Sequence, residues 1–152
     1  MAYIAFENRS NLNAIKGGIM SRASGGEYVH CEIVLTGISH VRCSSWHPSG
    51  VQVRPFKEID NRFWKKYDLG NCDNLVYQFF QKEKGKKYGL TGLIYNMMLN
   101  ANINDNKTFC SQICYKALKS IPNYPLPDLI DSSLSPSDLE KVFAENNFRI
   151  LT

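Results

Sequence analysis

The chain has 152 residues, and its 18 basic and 14 acidic side chains leave a net charge of +4. That length predicts one domain over residues 1–152, and 43% hydrophobic residues, 12% of the chain being aromatic, exclude a disordered chain. No apolar run approaches the roughly 18 residues of a membrane span, so no integral membrane segment is expected. The start, Met1 to Glu7, lacks the basic and long apolar regions of a secretory signal. Five cysteines without regular spacing predict reduced thiols and a cytoplasmic setting.

In chain order, Tyr3-Ile4-Ala5-Phe6 alternates as a first strand. Asn11 to Ser21 places Leu12, Ile15 and Ile19 at helical spacing, weakened by Gly17 and Gly18. Ser24-Gly25-Gly26 is a loop. Tyr28 to Leu35 is the clearest strand, rich in β-branched and aromatic residues. A tight turn over Thr36 to Ser39 leads into a second strand, His40 to Trp46. Gly50 opens a third, Val51 to Arg54, stopped by Pro55. Beyond Pro55 the period becomes helical. Asn74 to Lys84 sets Leu75, Val76, Phe79 and Phe80 on one face, Leu90 to Leu99 resumes a helix, and Asn100 to Asn106 is a loop. Thr108 to Ser120 is a helix with Ile113, Ala117 and Leu118 on one face, and Pro122 to Pro127 is an irregular connector. Ser135-Pro136-Ser137-Asp138 starts a last helix, to about Ala144, and Phe148 to Leu151 returns as a strand. The fold class is α+β, with antiparallel strands from the first third and helices after.

Several chemistries have no motif here. There is no phosphate-binding glycine loop, no Gly-x-Ser-x-Gly elbow and no Cys-x-x-Cys knuckle, so neither a cofactor nor a metal is implied. Lys65-Lys66 and Lys82 to Lys87 lie near Trp64, Phe79 and Phe80, but a charge excess this small and spread out describes a solvated basic face, and no nucleic-acid partner is expected. What remains is thiol and imidazole. Cys110 sits where a helix begins, and unpaired amides there stabilise a thiolate against a free thiol pKa of about 8.5. The plain alternative is a small apolar residue opening a core helix. Cys31, Cys43, Cys72 and Cys114 are assigned to packing.

Strand alternation puts His30, Glu32 and Val34 on one face and Val29, Cys31 and Ile33 on the other. An imidazole and a carboxylate in so apolar a strand are costly unless that face borders something wet or reactive. A turn centred on Gly37-Ile38 sets His30 opposite Ser45 and Glu32 opposite Cys43. A turn centred on Ile38-Ser39 sets His30 opposite His47. Either gives the ring a polar neighbour.

These segments, in this order, carry a resemblance: the histidine strand Tyr28-Val29-His30-Cys31-Glu32, then Ser44-Ser45 and Gly50-Val51-Gln52-Val53-Arg54. Eighty residues after His30 follow Thr108-Phe109-Cys110-Ser111-Gln112 at a helix start and the Ser135-Pro136-Ser137-Asp138-Leu139 element. From about Ile4 to that element the chain resembles the circularly permuted branch of the NlpC-like papain-fold superfamily. That branch includes YiiX- and YaeF-like bacterial proteins, related phage and poxvirus proteins and, more distantly, lecithin:retinol acyltransferase. The resemblance implies a permuted papain-like fold with Cys110 as nucleophile and His30 as general base. It leaves the third polar group open between Glu32, Ser45 and His47, and departs from many relatives in having Gln112 where they have glutamate. It also implies an amide- or ester-containing substrate, a peptidoglycan peptide or a lipid among them, for a hydrolase or an acyltransferase in a cytoplasm or virion. A non-catalytic binding or virion-associated module retaining the fold is the alternative. The oligomeric state is not legible in the sequence.

Overall fold

The first strand, β1 (Ala2–Asn8), buries both of its faces, and that places it near the middle of the sheet. Ile4 and Phe6 belong to the main core, whereas Tyr3 and Ala5 pack in a smaller cluster on the opposite side. The computed structural model of the protein describes residues 1–11, 26–37, 40–88, 107–129 and 134–152. The expected helix from Asn11 to Ser21 beyond its first residue, most of the loop at 24–26, part of the turn before 40, the helix at 90–99 and the loop at 100–106 lie outside the described residues.

Further strands are β2 (Tyr28–Leu35), β3 (Val41–Trp46), β4 (Gly50–Pro55), β5 (Trp64–Gly70), β6 (Lys87–Tyr88), β7 (Lys107–Thr108) and β8 (Ile150–Leu151). The main sheet has six strands, all neighbours antiparallel, in the order β4-β3-β2-β1-β5-β8, and β6 and β7 form a small parallel pair. The helices are α1 (Asp73–Glu83), α2 (Cys110–Lys119) and α3 (Pro136–Glu145). Ile113, Leu118, Leu139 and Phe143 from α2 and α3, with Val76 and Phe80 from α1, pack on the face of Phe6, Cys31, Ile33, Leu35 and Tyr67. The class is α+β, as the hydrophobic patterning predicts.

Two expectations are corrected. Strand β5 falls between Pro55 and Asn74, where no element is expected, because Lys65-Lys66 has the composition of a solvated basic face. Farther along the strand Tyr67 and Leu69 are buried, and β5 pairs along β1 from Glu7↔Trp64 to Ala2↔Gly70. The β2–β3 register also differs from both expected ones, with Ile33↔Cys43, Val34↔Arg42 and Leu35↔Val41. Extended along the strands, it sets Glu32 against Ser44 and His30 against Trp46, so neither Ser45 nor His47 stands opposite His30. A register slip of one residue exchanges faces, and Ser45, paired with Val51, belongs on the Cys43 side.

Helix α3 begins as its sequence predicts. Ser135 caps it, its Oγ accepting from the Asp138 N–H at 3.1 Å while Asp138 Oδ2 accepts from the Ser135 N–H at 3.0 Å, and Pro136 opens the first turn. Ser137 Oγ then accepts from the Tyr28 N–H at 2.9 Å and donates to the Tyr28 carbonyl at 3.3 Å, tying this helix start to the beginning of β2. Farther along α3, Glu140 Oε1 accepts from Tyr67 Oη at 2.6 Å and from Lys65 Nζ at 2.7 Å. Tyr67 is fully buried. Removing the carboxylate with Glu140→Leu leaves that hydroxyl without its partner, and thermal or urea unfolding should show a loss of about 1–3 kcal/mol.

Candidate active site

Helix α2 starts at Cys110, two residues later than the spacing predicts, which puts the thiol in the first helical position. The N-cap, Phe109, has no side chain able to accept a hydrogen bond. Gln112 compensates in part, its Oε1 accepting from the Phe109 N–H at 3.2 Å. Ser111 Oγ donates to the Leu134 carbonyl at 2.5 Å, anchoring the turn to the segment that leads into α3. First-turn amides have no acceptor within the helix, and the helix dipole adds positive potential at that end. Cys110 is 2% exposed there.

The sulfur meets the sheet where β2 and β3 part. Their ladder ends at Ile33↔Cys43, and side chains then occupy the backbone groups that would have continued it. The Cys31 carbonyl accepts from Ser44 Oγ at 2.7 Å and from Cys114 Sγ at 3.9 Å. Cys31 and His30, adjacent on β2, are the neighbours that most perturb the Cys110 thiol. Residues eighty positions apart are thereby brought together at a helix tip.

Around His30 the setting is aromatic and charged. The Trp46 and Trp64 rings lie 5.9 Å and 6.2 Å from its imidazole, centroid to centroid. Glu32 is fully buried, with Oε2 3.7 Å from His30 Nε2, an ion-pair separation longer than a well-formed hydrogen bond, and 3.5 Å from an Arg42 guanidinium nitrogen. Arg42 and Arg54 both stack on Trp46, at 5.5 Å and 4.3 Å from its centroid. This face opens into a cleft of about 630 Å³ whose walls include His30, Glu32, Ser45, Trp46, His47 and Trp64. Of the three candidates for the third polar group, Glu32 has a carboxylate oxygen 3.7 Å from the imidazole Nε2. Ser45 is buried on the other face of β3, and His47 follows the end of that strand, though both contribute to the cleft wall.

Electrostatics divides the two central groups. For Cys110, the hydrogen bond from the Cys31 thiol is the largest influence. The His30 charge, the His30 hydrogen bond and the Cys31 backbone add to it, and together they overcome burial and hold the thiol well below its ordinary pKa. For His30, burial pulls the pKa down, but the charge and hydrogen bond of Cys110 and then those of Glu32 outweigh it, raising it to about 10. The Cys31 thiol is pushed well above its usual value by burial and by the neighbouring Cys110 and Cys114 sulfurs. The two shifts run in opposite directions, each favouring the charged form of its group.

Arg42, Trp46 and Trp64 were not singled out from the sequence for this site. Arg42 emerges only once the register is known, and Trp64 only once β5 is placed beside β1. Among the described residues no group of three or more His, Cys, Asp or Glu side chains could hold a metal ion, and no helix is long and apolar enough to cross a membrane. No protein-family model and no curated protein matches the chain. What stands is an α+β domain with a buried cysteine, Cys110, at the start of α2 and His30 on β2 as its electrostatic neighbour.

Proposed function

We propose that this chain is a cysteine hydrolase or acyltransferase of the permuted papain-like kind, acting on an amide or ester carbonyl. The observation that carries this reading is the place of Cys110 at the first position of α2, supported by the opposite shifts that Cys110 and His30 impose on one another. The thiolate attacks the carbonyl carbon, and first-turn amides of α2 stabilise the oxyanion that forms. The His30 imidazolium protonates the leaving amine or alcohol as the tetrahedral intermediate collapses to an acyl-thioester. Water, or a second substrate bearing a hydroxyl or amine, then attacks the thioester and gives its proton to His30. Cys110 leaves as the thiolate and the ion pair is restored. Glu32, 3.7 Å from Nε2, holds the ring and its positive charge throughout. A peptidoglycan peptide or a lipid ester offers the required carbonyl.

A second reading, a binding module in which the pair is purely structural, is favoured by the burial of the sulfur at 2% exposure. A small vinyl sulfone followed by peptide mapping separates the two. The catalytic reading expects one adduct, on Cys110, formed before any of the other four cysteines reacts. Equal labelling of all five, or Cys110 reacting last, overturns it in favour of the module.

A further inference from the structure

Arg42 on β3 and Arg54 on β4 stand directly opposite one another in the sheet. Like charges so placed repel, and both side chains are half-buried. Both lie over one indole, their guanidinium carbons 5.5 Å and 4.3 Å from the Trp46 centroid. Little in the fold compensates these two charges. Among the described residues, Glu32 alone comes within ion-pair distance of Arg42, at 3.5 Å, and it also faces His30 at 3.7 Å. Arg42 Nε is buried there without a hydrogen-bond partner. Arg54 Nε donates to the neutral Gln52 Oε1 at 2.8 Å, and no described carboxylate pairs with its guanidinium. The other acidic residues of the cleft wall do not make up the deficit. Asp60 is paired with Arg62 at 2.6 Å, and Glu7 and Glu58 form no ion pair with either arginine. Burial and the Arg42 charge lower the Arg54 pKa, and Glu32 opposes them only in part.

We propose that Arg42 and Arg54 form a subsite for an oxyanion, a carboxylate or a phosphate carried by the acyl substrate, at the Trp46 wall of the cleft. The inference rests on the catalytic reading only in calling this ligand a substrate. Guanidinium N–H groups donate to carboxylate or phosphate oxygens in pairs, and the one long contact to Glu32 leaves most of these donors unused. An anion between the two arginines also turns their repulsion into shared attraction. Trp46 holds both guanidiniums over its ring before any ligand arrives, which reduces the order lost on binding. Its centroid lies 5.9 Å from that of the His30 imidazole, so the subsite is one indole away from the proposed base. The substrate class is thereby narrowed to amides or esters that carry a negative charge a few bonds from the carbonyl.

Binding tests this without turnover. The full chain is titrated by calorimetry at low ionic strength with hippurate, with its neutral counterpart hippuramide, and with phenyl phosphate. At least one of the two anions should bind about tenfold or more tightly than hippuramide, and added salt should narrow the difference. Hippurate binding assigns a carboxylate and phenyl phosphate binding alone a phosphate, and either supports the subsite. Arg42→Gln would also strip the buried Glu32 of its ion pair, so Arg54→Gln is the informative variant. It should lose most of the preference while keeping its circular dichroism spectrum. Phenylglyoxal modification gives a reading on the wild type whether or not that variant folds, because the bound anion should protect the Arg54 peptide. Equal affinity for all three compounds, binding of none, a preference undiminished in Arg54→Gln, or no protection of Arg54 overturns the proposal. Anion preference in a chain that turns over no ester or amide counts against the catalytic reading alone.

Discussion

Cys110→Ser is expected to lose at least about a thousandfold in turnover of a chromogenic ester or amide while keeping its circular dichroism spectrum. The substitution is nearly isosteric, so the packing of the α2 start against β2 survives. What it removes is the ionised sulfur. A hydroxyl does not ionise at neutral pH, and a buried alkoxide beside Cys31 and His30 would have none of the polarisability that lets the thiolate persist there. His30 would also lose the larger of the two negative influences that counter its burial, leaving Glu32 alone to hold the proton for the leaving group. Both changes act on the same step, which is why the effect is large. Turnover within tenfold of the wild type would show that the measured activity arises elsewhere on the chain.

The elements around this site differ in how far they could be read from residues alone. Alternation in β2 was legible because one face is entirely apolar, so His30 and Glu32 had to share the other. The start of α2 was legible to within two residues, since Ile113, Ala117 and Leu118 set its period. The cap gave no help, because Phe109 carries no acceptor and Gln112 does the capping from inside the helix. The Ser135-Pro136 start was fully legible, as its two reciprocal hydrogen bonds are encoded within four residues. Pairing across the sheet was not. The β2–β3 register depends on the geometry of the intervening turn, and a one-residue difference put Ile33 rather than Glu32 opposite Cys43. Strand β5 was missed for a related reason. Lys65 appears solvated until Glu140, supplied from 75 positions farther along, accepts its hydrogen bond at 2.7 Å. Long-range partners decided both cases, and local sequence does not contain them.

His30→Gln is expected to lower turnover about 10²–10⁴-fold and to move the titration of Cys110 toward higher pH. The signs follow from the two shifts. The Cys110 thiol titrates below its ordinary value in the folded chain, so its thiolate persists as pH falls and is lost only at the lowered pKa. His30, raised to about 10, keeps its proton until pH rises through that value. The ion pair therefore spans neutrality, and its contribution to folding stability fades at both ends. On the acid side it fades as the thiolate is protonated, on the alkaline side as the imidazolium is lost. Glutamine can still donate a hydrogen bond but carries no charge. Cys110 retains the influence of Cys31, the largest that lowers its pKa, but loses the opposing charge against burial. Thiolate absorbance followed across pH should show its midpoint rising in the variant, and iodoacetamide alkylation at neutral pH should slow by about tenfold or more. An unchanged midpoint would mean that Cys31 and the helix tip hold the thiolate by themselves, leaving His30 no part in activating it. The same titration in Cys31→Ser then apportions the two influences, because the serine hydroxyl preserves a donor at that position.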